Sequence, residues 1–286
     1  MSHFVNETEI ESKELCFPSF LKSENEEDGT RRKMRDYWVM HCADNPTNDT
    51  MMLMNDASEI DHEERKEIVS MLPKYTNKEV ACTGSNICGQ DVSPHLKEAE
   101  KKKEIVKMSV LKGVRIGLWI GRFTKSLAMN ASKVVAVDFM QVCIDKNEET
   151  VGQIYKNVQY ICKDVTELSL ENQQFYFVFS NWLMMYLNDK ETEILAQKMF
   201  DWTKPGVYVF FFFVGVFCCC FCKVNPTFYR KHLFYTTLFS QWDDLELLKV
   251  CRVKCYEEMK NKTNQYIWLF QKKMTTATIE NESLDN

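Results

Sequence analysis

Short, uninterrupted apolar runs mark the second half of the chain, and several of them end at a polar side chain. Residues 134–137 form one such run and are followed by Asp138, and residues 158–161 form another, shortly before Asp164. A third run, residues 176–180, leads into Asn181. Continuous apolar runs of this length, bounded by turn residues, are typical of strands that are covered on both faces.

Segments with helical spacing alternate with these runs. We predict helices over about 122–130, 140–151 and 192–202, and Lys204-Pro205-Gly206 forms a turn into a further apolar strand at residues 208–212. Strand and helix in alternation indicate an α/β fold with a mostly parallel sheet. Residues 250–256 and 265–270 instead alternate apolar and polar positions, which predicts an antiparallel hairpin at the sheet edge.

The polar residues that follow the strands suggest a ligand site. The carboxyl ends of parallel strands lie at one edge of a sheet, where doubly wound folds bind nucleotides. In such a site Asp138 would bind a ribose diol, and Asp164 and Val165 would flank an adenine. Two plainer interpretations stay open: Asp138 could cap a helix, and Asn181-Trp182 could be a turn with a packed indole.

The N-terminal third has helical periodicity. Residues 34–42 and 51–72 show helical spacing, and Pro73 ends the second segment, which predicts a helical cap over the sheet edge. The polar, acidic residues 1–32 are predicted to be disordered, as are residues 274–286, leaving one domain over residues 33–273.

A strand followed by a glycine turn occurs twice, at residues 79–88 and at residues 113–123. Gly84 and Gly117 are 117 − 84 = 33 positions apart, and a Lys/Glu-rich stretch lies between the two copies. Only one copy can provide the first strand of the sheet. Residues 85–112 are therefore an atypical insert.

Composition narrows the class of protein. The formal net charge of −5 argues against a nucleic-acid partner. Twelve cysteines without a visible signal peptide predict reduced thiols in the cytoplasm. The uncharged stretch at residues 207–222 is short for a membrane helix, so no span is expected, and adjacent cysteines at residues 218–222 lack the paired spacing of zinc sites.

Several strings of residues resemble the phosphoethanolamine N-methyltransferases of plants, nematodes and some other animals. The resemblance runs from about residue 34 to residue 273. It is carried by Arg35-Asp36-Tyr37-Trp38, Asp61-His62-Glu63-Glu64-Arg65, Ile120-Gly121-Arg122-Phe123-Thr124, Ser180-Asn181-Trp182-Leu183-Met184-Met185-Tyr186-Leu187 and Asn225-Pro226-Thr227-Phe228-Tyr229-Arg230.

The resemblance implies a class I methyltransferase: a Rossmann-like, seven-stranded, mostly parallel sheet with an N-terminal helical lid. It further implies methyl transfer from S-adenosylmethionine to phosphoethanolamine or its methylated forms, by a protein that we expect to be a monomer. Matched positions assign the cofactor site to Gly117, Arg122, Asp138, Asp164, Val165 and Asn181. They assign substrate binding to Tyr229, Arg230 and Tyr235, and catalysis to Tyr37 and Tyr186.

The chain departs from the family's pattern at three places. Arg115 stands where the family has an acid, Trp119 replaces a glycine, and residues 212–222 replace a polar loop with phenylalanines and cysteines. The alternative hypothesis is therefore a catalytically impaired homologue that acts as a binding or regulatory protein, or a chain that carries translated non-coding sequence at the inserts. A methyltransferase for another small amine is a third possibility.

Overall fold

A single sheet organises the part of the chain that the computed structural model describes, residues 24–42, 46–52, 57–71, 112–116, 121–214, 227–228 and 230–274. The strand order within these residues is β3-β2-β1-β4-β5-β7-β6. The strands are β1 (Lys112–Ile116), β2 (Lys133–Asp138), β3 (Val158–Cys162), β4 (Phe175–Asn181), β5 (Thr203–Val214), β6 (Leu245–Arg252) and β7 (Gln265–Lys272).

The first five strands pair in parallel, and β7 runs antiparallel to both of its neighbours. The apolar run of β2 explains its place inside the sheet, since Val134, Ala136 and Val137 are fully buried. Ile116, at the end of β1, lies opposite Val137 on β2 and Ser180 on β4. The strand order reverses beside β1, so a crevice between the carboxyl ends of β2 and β4 is the expected ligand position.

Helices pack on the sheet and over its carboxyl edge. They are α1 (Glu24–His41), α2 (Asn48–Met52), α3 (Ala57–Met71), α4 (Thr124–Ala128), α5 (Gln141–Asn147), α6 (Asp189–Trp202), α7 (His232–Phe239) and α8 (Lys254–Lys260). A π-helical turn (Glu148–Gly152) extends α5, and a 3-10 turn (Met184–Tyr186) follows β4. No helix among the described residues is long and apolar enough to cross a membrane.

Helix α1 begins at Glu24, inside the segment that the sequence predicted to be disordered. The acidic composition of this segment favours disorder, but tertiary contacts outweigh it. Met34 and Trp38 are buried against the core, and Arg31 forms an ion pair with Asp164. Residues 1–23 and 275–286 lie outside the described residues.

The C-terminal hairpin forms at the sheet edge as predicted, except that residues 254–256 are helical and not part of a strand. The prediction failed there because Glu67 of α3 caps α8. Its two carboxylate oxygens accept the backbone N–H groups of Lys254 and Cys255, at 2.9 and 3.1 Å. A cap that comes from another part of the chain leaves no local sequence signal.

The second glycine-turn copy provides β1, between β2 and β4. Residues 79–88 and most of the insert at residues 85–112 lie outside the described residues, as do Gly117, Trp119 and the cysteine run at residues 218–222.

Candidate functional site

A cleft opens at the carboxyl edge of the sheet, between the ends of β2 and β4 and beneath α1. Its lining brings together five residues that the sequence assigned to the site. They are Asp138, Asp164, Val165, Asn181 and Tyr186. The remaining lining residues are Arg31, Met34, Arg35, Trp38, Val137, Phe139, Met140, Lys163, Trp182 and Leu183.

Asp138 ends β2 and is buried at the cleft. One carboxylate oxygen accepts the backbone N–H of Met140 at 2.8 Å, which fixes the side chain at the start of α5. The N-cap of α5 is Met140, with no side-chain cap, so the alternative that Asp138 caps a helix is wrong. A carboxylate at the end of the second strand is the group that binds ribose hydroxyls in doubly wound folds.

Asp164 follows β3 and is held from two sides. One carboxylate oxygen accepts the backbone N–H and the hydroxyl of Thr166, at 3.0 and 2.8 Å. One guanidinium nitrogen of Arg31, on α1, lies 2.6 and 2.7 Å from the two carboxylate oxygens. Burial alone would raise the pKa of Asp164, but Arg31 and Thr166 outweigh it and hold that pKa below its usual range, so the group is an anion at neutral pH.

Asn181 ends β4 with 1% of its surface exposed. Its Oδ1 is buried and has no hydrogen-bond partner among the described residues, although the side chain lines the cleft. A buried acceptor without a partner is costly, and a bound ligand with a donor group would satisfy it. Trp182 follows with φ of 55°, a left-handed conformation that bulky residues seldom adopt.

The two tyrosines predicted to be catalytic lie differently. Tyr186 lines the cleft and packs edge-to-face against Trp38 of α1, with ring centroids 5.3 Å apart. Tyr37 is half-buried and does not line the cleft. It stacks on His41, one helical turn further along α1, at 5.3 Å. The catalytic roles of both residues stay predictions.

Arg230 and Tyr235 lie next to the turn that carries Tyr186 and not in the cleft lining. The Arg230 guanidinium donates to the carbonyls of Met184 and Leu187 at 3.0 and 2.7 Å, to the Tyr235 hydroxyl at 3.2 Å, and pairs with Asp189 at 2.7 Å. Each nitrogen of the guanidinium therefore has a protein partner. Burial raises the pKa of Tyr235, so its phenol stays protonated. Phosphate binding by either residue stays a prediction.

Arg122 is also engaged by protein groups. Its side chain is 1% exposed and forms ion pairs with Asp61 and Glu64 of α3. It precedes α4 and follows Gly121, whose φ of 103° suits glycine and whose missing side chain leaves room for Asn147. The predicted contact between Arg122 and the cofactor stays untested. Gly117 and Tyr229 lie outside the described residues.

Sequence reasoning missed Arg31, because it falls in the segment predicted to be disordered. It also missed the buried acids of α3. Asp61 and Glu64 occupy the same helical face as the buried Ala57, Ile60 and Ile68. Acids at apolar-face positions of a helix are the signal that could have revealed this cluster.

Known proteins resemble this chain in sequence and in fold. A family model described as a methyltransferase domain matches residues 114–206. Phosphoethanolamine N-methyltransferase 1 of Triticum aestivum is 35% identical over 260 residues, which are 85% of this chain and 44% of that protein. The corresponding protein of Arabidopsis thaliana is 35% identical over 256 residues, 83% of this chain and 44% of that protein.

The chain is thus similar to phosphoethanolamine N-methyltransferases over most of its own length. A solved structure of Haemonchus contortus phosphoethanolamine N-methyltransferase 1, in complex with phosphoethanolamine and S-adenosylhomocysteine, superposes with a TM-score of 0.70 at 25% identity. The match covers 87% of this chain and 50% of that one. The predicted class I methyltransferase fold is confirmed by the family model and this structural match, and the chain spans about half the length of the relatives it matches.

Proposed function

We propose that this chain is an S-adenosylmethionine-dependent N-methyltransferase that methylates phosphoethanolamine toward phosphocholine. The observation that carries the proposal is the convergence of Asp138, Asp164 and Asn181 on one cleft at the strand-order reversal. The homology supports the choice of reaction, because the plant relatives bear this activity in their names.

The residues of the cleft suit the cofactor. Asp138 would bind the ribose hydroxyls, Asp164 and the backbone of Val165 would flank the adenine, and the unsatisfied Oδ1 of Asn181 would accept a donor from the ligand. When bound, S-adenosylmethionine would supply a methyl group on a positively charged sulfur. Helices α1 and α3 would act as the lid of the predicted seven-stranded fold, with α1 closing the cleft through Arg31 and Trp38.

The chain's own contribution to methyl transfer would be alignment and proton removal. A new N–C bond forms as the S–C bond breaks, so the amine must be unprotonated and in line with the methyl group. Tyr186 is the predicted catalytic group that lines the cleft: its neutral hydroxyl would accept a hydrogen bond from the amine and orient it, while the amine's proton leaves to solvent water. Tyr37, Tyr229, Arg230 and Tyr235 complete the predicted catalytic and substrate-binding set.

The alternative of an impaired homologue is not favoured by the comparisons, since the relatives bear the names of enzymes. The cytoplasmic location, the monomeric state and the absence of a nucleic-acid partner stay predictions.

The proposal is tested by methyl transfer from labelled S-adenosylmethionine to phosphoethanolamine, with ethanolamine as the substrate lacking phosphate. We expect turnover of phosphoethanolamine and at least about tenfold slower turnover of ethanolamine. Ethanolamine lacks the charged phosphate, so the protein groups that bind the phosphate would lose a strong interaction. D138N should lose cofactor affinity, whereas D145N, at an exposed position on α5, should not. Turnover of ethanolamine as fast as phosphoethanolamine would point to another small amine, and absence of turnover with either substrate would refute the proposal.

A further inference from the structure

The side chain of Glu64, on α3, is 0% exposed. Its carboxylate bonds to groups from three other parts of the chain. One oxygen receives the Arg122 guanidinium, from the turn before α4, and the Tyr256 hydroxyl of α8 at 3.2 Å. The other oxygen accepts the indole N–H of Trp182 at 3.4 Å, just after β4. Glu64 itself does not line the cleft, but Trp182 does.

The charges around Glu64 are balanced inside the protein. Asp61, one turn earlier on α3, pairs with Arg122 and with Arg65, the latter at 2.9 Å. Desolvation lowers the pKa of Arg122, but Glu64 and Asp61 outweigh it and raise that pKa above its ordinary value. Burial and the neighbouring carboxylate raise the pKa of Tyr256, so the phenol remains a donor. Such a cluster keeps its geometry because removing any member leaves a buried charge or polar group unpaired.

Trp182 is the member of this cluster that reaches the cleft. Its left-handed backbone, with φ of 55°, is unfavourable for a bulky residue and persists only where surrounding contacts impose it. The hydrogen bond to Glu64 provides one of those contacts, and the Tyr256 ring, with its centroid 6.2 Å from the indole, provides another. Trp182 directly follows Asn181, which also lines the cleft and whose buried Oδ1 has no partner among the described residues.

We propose that Glu64 is a positioning residue for cofactor binding, acting through Trp182. By fixing the indole it sets the left-handed turn at the end of β4, and with it the place of Asn181 in the cleft. Arg122 and Tyr256 hold Glu64 in turn, which makes Arg122 a positioning residue instead of a cofactor ligand. This inference rests on the proposed cofactor site.

A double-mutant cycle tests the inference, with the Kd for S-adenosylmethionine measured by calorimetry as its readout. E64Q should weaken binding about tenfold when Trp182 is present and less than about twofold in the W182F background, because contacting residues are coupled. An equal loss in both backgrounds would show that Glu64 does not act through Trp182 and would overturn the proposal. No loss from E64Q in either background would overturn it as well.

A second readout does not depend on the cofactor. In protein labelled with nitrogen-15 on its tryptophans, the indole N–H signal of Trp182 is identified by its loss in W182F. It should shift in E64Q and in Y256F, a milder variant that removes one donor to Glu64 and keeps every charge. E67Q is the matched control: Glu67 lies one turn further along α3 and caps α8, so E67Q should lower the Tm but leave the Trp182 signal and the Kd unchanged.

The two proposals fail in different ways. An unshifted Trp182 signal in both E64Q and Y256F would refute the positioning role even if the wild-type chain binds S-adenosylmethionine. If the Trp182 signal shifts in E64Q and Y256F but the wild-type chain binds no S-adenosylmethionine, the proposed function is refuted. The effect of Glu64 on cofactor binding is then refuted with it.

Discussion

Replacing Arg230 with methionine separates a structural role from substrate binding. The side chain is 7% exposed, and the substitution keeps much of its length while removing every donor. Two hydrogen bonds from a charged donor to the carbonyls of Met184 and Leu187 are lost, at about 1.5 kcal/mol or more each. The ion pair with Asp189 adds only about 0–1 kcal/mol, because that carboxylate is 72% exposed.

The two carbonyls do not become fully unpaired. Met184 O also accepts from Leu187 N at 3.3 Å, and Leu187 O accepts from the Thr192 hydroxyl at 3.4 Å. We therefore expect R230M to lower the free energy of unfolding by about 3 kcal/mol, near the sum of the two charged hydrogen bonds. The loss should also loosen the turn that carries Tyr186.

Urea unfolding followed by tryptophan fluorescence gives the free energy, and calorimetry gives the Kd for phosphoethanolamine. K231M, at the exposed neighbouring position, is the control and should stay within about 0.5 kcal/mol of wild type. A loss of less than about 1 kcal/mol in R230M, together with abolished phosphoethanolamine binding, would refute this reasoning and establish Arg230 as a phosphate ligand.

Three further outcomes follow from the described contacts. G121A should lose about 2–4 kcal/mol by urea unfolding, because the added Cβ would strain a φ of 103° and lie 2.8 Å from Asn147 Oδ1; wild-type stability would contradict the turn geometry. N188A should lose about 1 kcal/mol through its capping box with Glu191, and an unchanged Tm would refute that cap. Since Asp164 has a lowered pKa when folded, its pair with Arg31 stabilises the fold above the carboxyl's ordinary pKa of 3.8. That contribution disappears as the pH falls through the lowered value, so the stability difference between wild type and D164N should shrink below about pH 4. A difference independent of pH would contradict it.

The sequence predicted the parallel core well, because burial on both faces leaves a continuous apolar signature. Residues 134–137 and Asp138 show this most clearly: the strand, its position and the acid at the cleft all follow from one run of residues. Asp164 and Asn181 were predicted by the same reasoning at the ends of β3 and β4.

Interactions between distant parts of the chain could not be predicted in this way. Arg122 and Arg230 are predicted to bind ligands because they stand in motifs, and those roles stay predictions. Their partners within the protein lie 58 positions away, at Glu64, and 46 and 43 positions away, at Met184 and Leu187. Arg31 was missed because its partner Asp164 is 133 positions away. A buried cation shows no periodicity of its own, and only the folded chain reveals which groups compensate its charge.

The central claim is that the cleft at the ends of β2, β3 and β4 binds S-adenosylmethionine despite Arg115 and Trp119. Calorimetric titration of the purified chain with S-adenosylmethionine, with and without phosphoethanolamine, tests it most directly. We predict saturable binding that phosphoethanolamine strengthens and that D138N weakens at least about tenfold, the effect of losing a charged hydrogen-bonding group. A folded chain that binds no S-adenosylmethionine, or that binds it equally well with D138N, would contradict the account.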